Sequence, residues 1–352
     1  YYNHAGDGLK QIHELQAQQT MLWRTGQLSM RDSFSYLPEG AFGYGSYGGS
    51  GGFQLGLGGL GEGMGMMGSS FGGQYGMLGS GQFGSLGQAP RITNVAVLDA
   101  VQGLSPRASL TAAGSFGLVH FTDAPQGFIN SQQAGAQVGY NYQLNRKDQI
   151  AVSYGFQSFR FPALVGAENV TANVVQAMYG HRVSGRMDFV IGAGPQWTRM
   201  HDPLGGSTSR LSVAGRFMLR YRFRVTSAAL SFERFDTNGS GFFAGAQSNI
   251  AQLGLSRPLG RKYSAQANLG FAHNQRLQSS LLGVAATSYN YGFAGFAVRR
   301  QFSYNWGAFL GYQWNDQIFD TCPVVGTFCN RISVRHVLTV GVDWHFRPLR
   351  ID

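Results

Sequence analysis

From Arg107 onward the chain alternates apolar and polar residues with period two, in one segment after another, and no other feature restricts its fold as much. A strand turns successive side chains to opposite faces, so each segment presents one apolar and one polar face. The pattern predicts about twelve strands, near 108–121, 132–145, 149–160, 170–183, 186–199, 209–223, 226–236, 245–257, 262–274, 285–300, 303–315 and 332–346. In the second, Ala134, Ala136, Val138, Tyr140, Tyr142 and Leu144 oppose Gln133, Gln137, Asn141 and Gln143. In the sixth, Leu211, Val213, Phe217, Leu219, Tyr221 and Phe223 make the apolar row. The fourth and tenth carry apolar residues on both faces. Most segments reach the roughly 9–11 residues that cross a bilayer at a tilt.

The connections alternate in length. Tight turns at 145–148, 183–186, 224–227, 259–262 and 300–303 alternate with longer stretches at 122–131, 161–169, 200–208, 237–244, 275–284 and 316–331. Short turns at one end and long loops at the other are the pattern of an up-and-down barrel that spans a membrane. An even strand count would bring both ends of the barrel to the short-turn side.

The last strand carries the most specific signal. Ile332, Val334, Leu338, Val340, Val342, Trp344 and Phe346 form one row, interrupted only by His336. Within it, Thr339-x-Gly341-x-x-Trp344-x-Phe346 resembles the C-terminal signal strand of Gram-negative outer-membrane β-barrel proteins, although Arg347 to Asp352 follow the final aromatic. The resemblance covers about residues 107–346. It implies a closed antiparallel barrel, an outer-membrane or cell-surface location and insertion by the barrel-assembly machinery. It transfers no functional residue. The last strand is expected to close the barrel against the first, near 108–121.

Composition agrees. Only 12% of residues are charged and 13% are aromatic, which suits an apolar outer wall and argues against a disordered chain. No apolar run is long enough for a membrane-spanning helix, so any crossing is made by strands. The chain starts Tyr1-Tyr2 without Met, as a processed product would. The net charge of +10 divides into two groups. Arg146, Lys147, Arg186, Arg224, Arg261, Lys262, Arg299 and Arg300 sit at the short turns. Arg216, Arg220 and Arg222 fall on the inward row of the sixth strand, with Arg335, Glu233 and Asp343 as further lumen charges. Buried charges need partners, so an ion-pair network is expected, with an anion-attracting pore lining as the sharper reading. Nucleic-acid binding is not expected, because no basic face with stacking aromatics is present.

The chain before Arg107 reads as three parts. Residues 1–38 are expected to hold one short helix at about 7–25, with Asp7 as N-cap, Leu9, Ile12 and Leu15 on one face and Gly26 at its end. Residues 39–90 are low-complexity and dense in glycine, with Phe53, Leu55, Leu57, Leu60, Glu62, Phe71, Tyr75 and Phe83 among the larger residues. Glycine density alone generates the two motif matches there. Gly56-x-Gly58-x-x-Gly61 lacks the strand and helix of a dinucleotide site, and Gly68-x-Ser70-x-Gly72 lacks a nucleophile-elbow frame. Residues 91–106 read as a linker into the barrel, and 347–352 as a tail.

Cys322 and Cys329 are the only cysteines and fall in the last long loop, where a disulfide is the simplest expectation for an exported chain. No catalytic constellation emerges: His201-Asp202 lacks a nucleophile or water-activating partner, and no cofactor or metal is implied. The reading is therefore an all-β, non-catalytic structural barrel. Its glycine-rich segment fills a lumen, its own or that of the next subunit in a head-to-tail filament. Its partners are outer-membrane lipid and neighbouring copies. A porin or small-solute channel narrowed by that segment is the alternative.

Overall fold

The computed structural model describes residues 2–4, 8–10, 13–37, 91–122, 129–162, 168–201, 206–239, 243–277, 286–321 and 331–344. A small hairpin of β1 (Tyr2–His4) and β2 (Gly8–Lys10) precedes a fifteen-stranded antiparallel sheet, in which every strand pairs with its sequence neighbours. Its strands are β3 (His13–Trp23), β4 (Gly26–Leu37), β5 (Arg91–Gly103), β6 (Ala108–Phe121), β7 (Ser131–Gln143), β8 (Asp148–Phe161), β9 (Glu168–Ser184), β10 (Met187–His201), β11 (Ser207–Arg222), β12 (Ser227–Thr237), β13 (Ala246–Pro258), β14 (Tyr263–Arg276), β15 (Ser288–Gln301), β16 (Trp306–Phe319) and β17 (Ile332–Trp344). The last twelve match the twelve expected strands to within a few residues.

The first three correct the sequence reading. Residues expected to form a helix at 7–25 lie instead in β2 and β3, and residues 91–103, read as linker, form β5. The i+3 spacing of Leu9, Ile12 and Leu15 competes with a period-two row of Leu15, Ala17, Met21 and Trp23. Pairing with β4 decides in favour of the strand: His13 opposes Tyr36 and Trp23 opposes Gly26. Gly26, expected to end a helix, begins β4. A Cβ there would collide with the Val101 carbonyl oxygen and the Trp23 ring.

The glycine-rich segment changes place as a result. It is not an extension ahead of the sheet but the connection between hydrogen-bonded neighbours, with Leu37 on β4 opposite Arg91 on β5. Tight turns at 24–25, 104–107, 144–147, 185–186, 223–226, 259–262 and 302–305 mark one end of the sheet. Residues 38–90 therefore join the long connections at the opposite end.

The expected closure also differs. β6 pairs with β5 and β7, and β17 pairs with β16. Among the described residues the outer strands β3 and β17 are not paired with each other, and β1 lies beside β17. Among the described residues the fifteen strands place the start of β3 at the long-loop end and the end of β17 at the short-turn end, whereas β6, the first of the twelve expected strands, starts at the short-turn end as β17 ends there.

The two faces of the sheet separate cleanly. Val152, Tyr154, Leu211, Val213, Leu310, Tyr312, Val340 and Val342 are exposed on the outside. Ser153, Gln133, Asn141, Gln313, Asn315 and Gln317 are buried on the inside. An apolar exterior around a polar interior inverts a soluble protein and matches a wall with lipid outside. His336, the break in the outer row of β17, accommodates this by meeting the Tyr312 hydroxyl at 2.7 Å. Gly341 leaves room for an aromatic ring: a Cβ there would collide with Phe309, its cross-strand partner. Trp306 and Trp344 lie 6.3 Å apart at the short-turn end, where an aromatic girdle belongs.

Candidate functional site: a hairpin end in the lumen

The wall departs from regular pairing at β11 and β12. β11 pairs with β10 along its full length, from Met187↔Tyr221 to His201↔Ser207. Its pairing with β12 stops at Gly215↔Arg234. Beyond that point β12 stays with β13, and β13 stays with β14 through Ala246↔Arg276. The end of the β12–β13 hairpin thus leaves β11 and enters the lumen.

The residues explain the departure. The outward row of β12 begins Leu230, Phe232 and then turns to Arg234 and Asp236, with Gln247 facing Asp236 on β13. Lipid does not accept that row at low cost. Folded inward, Asp236 accepts a hydrogen bond from the Thr198 hydroxyl on β10. Arg210 on β11 and Arg234 each donate to the Gln247 carboxamide oxygen, at 2.9 and 3.0 Å. The opposite row is apolar where a lumen wall is ordinarily polar. Phe235, Ala246 and Ile250 pack with Phe243, Ala272, Tyr289, Tyr291, Phe293 and Phe319 in one buried cluster.

The described ends of the connection add further contacts with the wall. Asn238 donates to the Ser131 hydroxyl on β7 at 3.0 Å, and both are buried. Phe243 stacks at a tilt on Tyr289, with centroids 5.5 Å apart. Gly239 and Gly245 adopt positive φ angles of 77° and 90°, which favour glycine. A Cβ on Gly245 would stand 3.2 Å from Leu277 and 3.5 Å from Val170 of β9, so the turn is flanked by two separate parts of the wall. A second apolar cluster, Ile129, Phe159, Phe161, Val170 and Met200, lines the same end. These contacts account for the apolar residues on both faces of the fourth and tenth predicted strands, β9 and β15: their inner rows face the tucked hairpin.

Below the hairpin is a small cavity of mixed lining, with Gln137, Ser153, Gln157, Gln176, Arg216 and Glu233 beside Val174 and Phe235. Arg216 Nε lies 3.2 Å from Glu233, its cross-strand partner. Arg220 pairs with Asp188 at 2.6 Å, again across one rung. Arg222 is exposed at the end of β11, its backbone amide bound to the Arg186 carbonyl at 2.7 Å. Arg335, Thr339 and Asp343 stand opposite Asn315, Gly311 and Gly307 of β16. Cys322, Cys329, Phe346 and the glycine-rich residues Phe53, Leu55, Leu57, Leu60, Glu62, Phe71, Tyr75 and Phe83 lie outside the described residues. Sequence reasoning did not single out Asp236, Thr198, Arg210, Gln247 or the Asn238–Ser131 pair. Their signal was the charged outward row and apolar inward row at the end of β12.

No protein-family model and no curated protein matches the chain. Among solved structures, two variants of the FrpB iron transporter from Neisseria meningitidis share its fold. The F5-1 variant has a TM-score of 0.50 at 8% identity, covering 95% of this chain and 58% of the transporter. The F3-3 variant has a TM-score of 0.50 at 9% identity, covering 96% and 57%. The chain thus spans less than two thirds of the proteins it resembles. With an apolar exterior, a polar interior and turns that are short at one end and long at the other, it has the fold of outer-membrane β-barrel proteins, and the outer membrane is the setting that fold fits.

Proposed function

We propose that the protein is a non-catalytic outer-membrane barrel whose lumen is closed to solutes at rest. The observation that carries this reading is the β12–β13 hairpin end inside the lumen, held by Thr198 and Ser131 on separate wall strands. Small barrels fill with their own side chains, and larger ones need a plug. Here a piece of the wall serves as the plug. The glycine-rich connection then acts from the rim to which both its ends are tied, as the contact between neighbouring copies. Planar-bilayer recording tests the closure: the intact barrel gives no steady porin-sized current, and a steady open current ends the reading. Deleting residues 38–90 tests assembly: single barrels are expected, and undiminished assembly removes that part of the proposal.

Solute transport is a second reading. Arg210, Arg216 and Arg220 share one inward row of β11 and favour anions, and the two structures of like fold are iron transporters by name. Open-state currents with a reversal potential shifted toward the anion would support it.

A further inference from the structure

We infer that the inner wall of β10 and β11 is an oxyanion-binding site which the protein fills with its own Asp236. The inference rests on the closed-lumen reading above. Thr198 and Arg210 are direct cross-strand partners on the inward face. One supplies a hydroxyl donor and the other a guanidinium, the pair of groups that recognises a carboxylate or phosphate. The Asp236 carboxyl takes the Thr198 hydrogen bond, with Arg210 and Arg234 as the nearby cations. It comes from the hairpin end, not from the wall, and therefore occupies the position of a ligand.

The next inward rung extends the site. Gln196 and Ser212 are cross-strand partners beside Thr198 and Arg210. Gln196 is fully buried, and neither its carboxamide nitrogen nor its oxygen has a hydrogen-bond partner among the described residues. The Ser212 hydroxyl is also without one. Buried polar groups are ordinarily satisfied, so this wall offers more donors than one internal carboxyl uses. The charges point the same way. Arg216 has Glu233 and Arg220 has Asp188, one anion to one cation, whereas Arg210 and Arg234 donate to one neutral amide oxygen and share Asp236 as their nearby carboxyl. A small oxyanion entering the lumen would compete with Asp236 for Thr198 and Arg210, and its binding would loosen the hairpin end.

Titration calorimetry on the refolded full-length barrel tests this, with succinate and inorganic phosphate as probes and glucose as the neutral control. Asp236→Asn keeps the shape of the side chain and replaces the carboxyl with an amide, so the internal competitor is weakened. It should tighten oxyanion binding by at least about tenfold, the scale of one charge-assisted hydrogen bond. Arg210→Gln in the Asp236→Asn background should abolish that gain. Tightening for succinate alone assigns the site to carboxylates, and for phosphate alone to phosphate. Unchanged or weaker binding of both probes in Asp236→Asn, or a gain that survives Arg210→Gln, overturns the inference. Binding is measured without current, so a conducting barrel that still shows the gain refutes the closed lumen and leaves the site standing.

Discussion

Asn238 and Ser131 are joined by a 3.0 Å hydrogen bond although one follows β12 and the other opens β7. The strands between them are β8 to β11, so the bond is made through the lumen and not along the wall. Both residues are buried. Replacing Asn238 with Ala leaves the Ser131 hydroxyl without this donor and should cost about 1 kcal/mol. Chemical unfolding in detergent checks it: a lower midpoint is expected for Asn238→Ala, and no change for Arg224→Ala at an exposed turn.

The ion pair between Arg220 and Asp188 is nearly withdrawn from solvent, at 6% and 17% side-chain exposure. Removing one partner leaves the other charge in the wall, which should destabilise by about 3 kcal/mol. Replacing both with uncharged residues of similar volume should recover most of that loss. A double-mutant cycle on unfolding free energies measures the coupling, and additivity of the single effects would contradict it.

The outer face is predicted to accept no charge at mid-wall. Val152 is 58% exposed on β8. Val152→Arg should reduce stability by about 2–4 kcal/mol in bilayers, the range for a cation at the lipid midplane. In the unfolded chain that arginine is harmless, so refolding into vesicles is the readout. Equal stability would mean that this face does not meet lipid.

Gly341 is predicted to be required for the Phe309 ring. A Cβ would press on it, and relief needs the ring to leave its buried position. Gly341→Val should cost about 1–3 kcal/mol through overpacking. Gly185→Ala, where no atom lies within 4 Å, should be neutral. The yield of folded barrel by gel mobility compares them.

At the long-loop rim, burial pushes the Asp320 carboxyl up, but hydrogen bonds from the Thr287 hydroxyl and the backbone amides of Thr321, Ser288 and Thr287 outweigh it and hold it below the ordinary carboxylate range. A depressed value stabilises the folded rim at all pH above the unfolded value, roughly 3.9, and the effect is lost as pH falls through the lower folded value. Amide chemical shifts of Thr287 and Ser288 should therefore hold steady from neutral pH to about pH 4 and move only below it. A transition near pH 6 would contradict the assignment.

Strand positions after residue 107 were legible because period-two alternation is a direct record of a two-faced wall. The strands before it were not. Leu9, Ile12 and Leu15 offer a helical spacing as good as the strand spacing that follows from Leu15, and only the pairing of β3 with β4 separates the two. The glycine-rich segment was misplaced for the same reason, since its position as a connection depends on recognising β4 and β5. The tucked hairpin left a readable trace in Arg234 and Asp236, which follow Phe232 on a row otherwise turned to lipid. Period alone cannot say whether such a row protrudes or turns inward. That depends on Thr198, Arg210 and Ser131, which lie on other strands.

The position of the hairpin end is tested most directly by a cysteine pair at Ser131→Cys and Asn238→Cys, in a chain whose Cys322 and Cys329 are replaced by Ser. The hydrogen bond between the native side chains sets these two positions side by side through the lumen, within the span of a short bismaleimide linker. Treatment of the folded barrel with bismaleimidoethane should give a high yield of the 131–238 crosslink by peptide mass mapping, with no steady current while it is in place. A folded barrel in which both cysteines react with the linker but never with each other through it would contradict the occluded lumen.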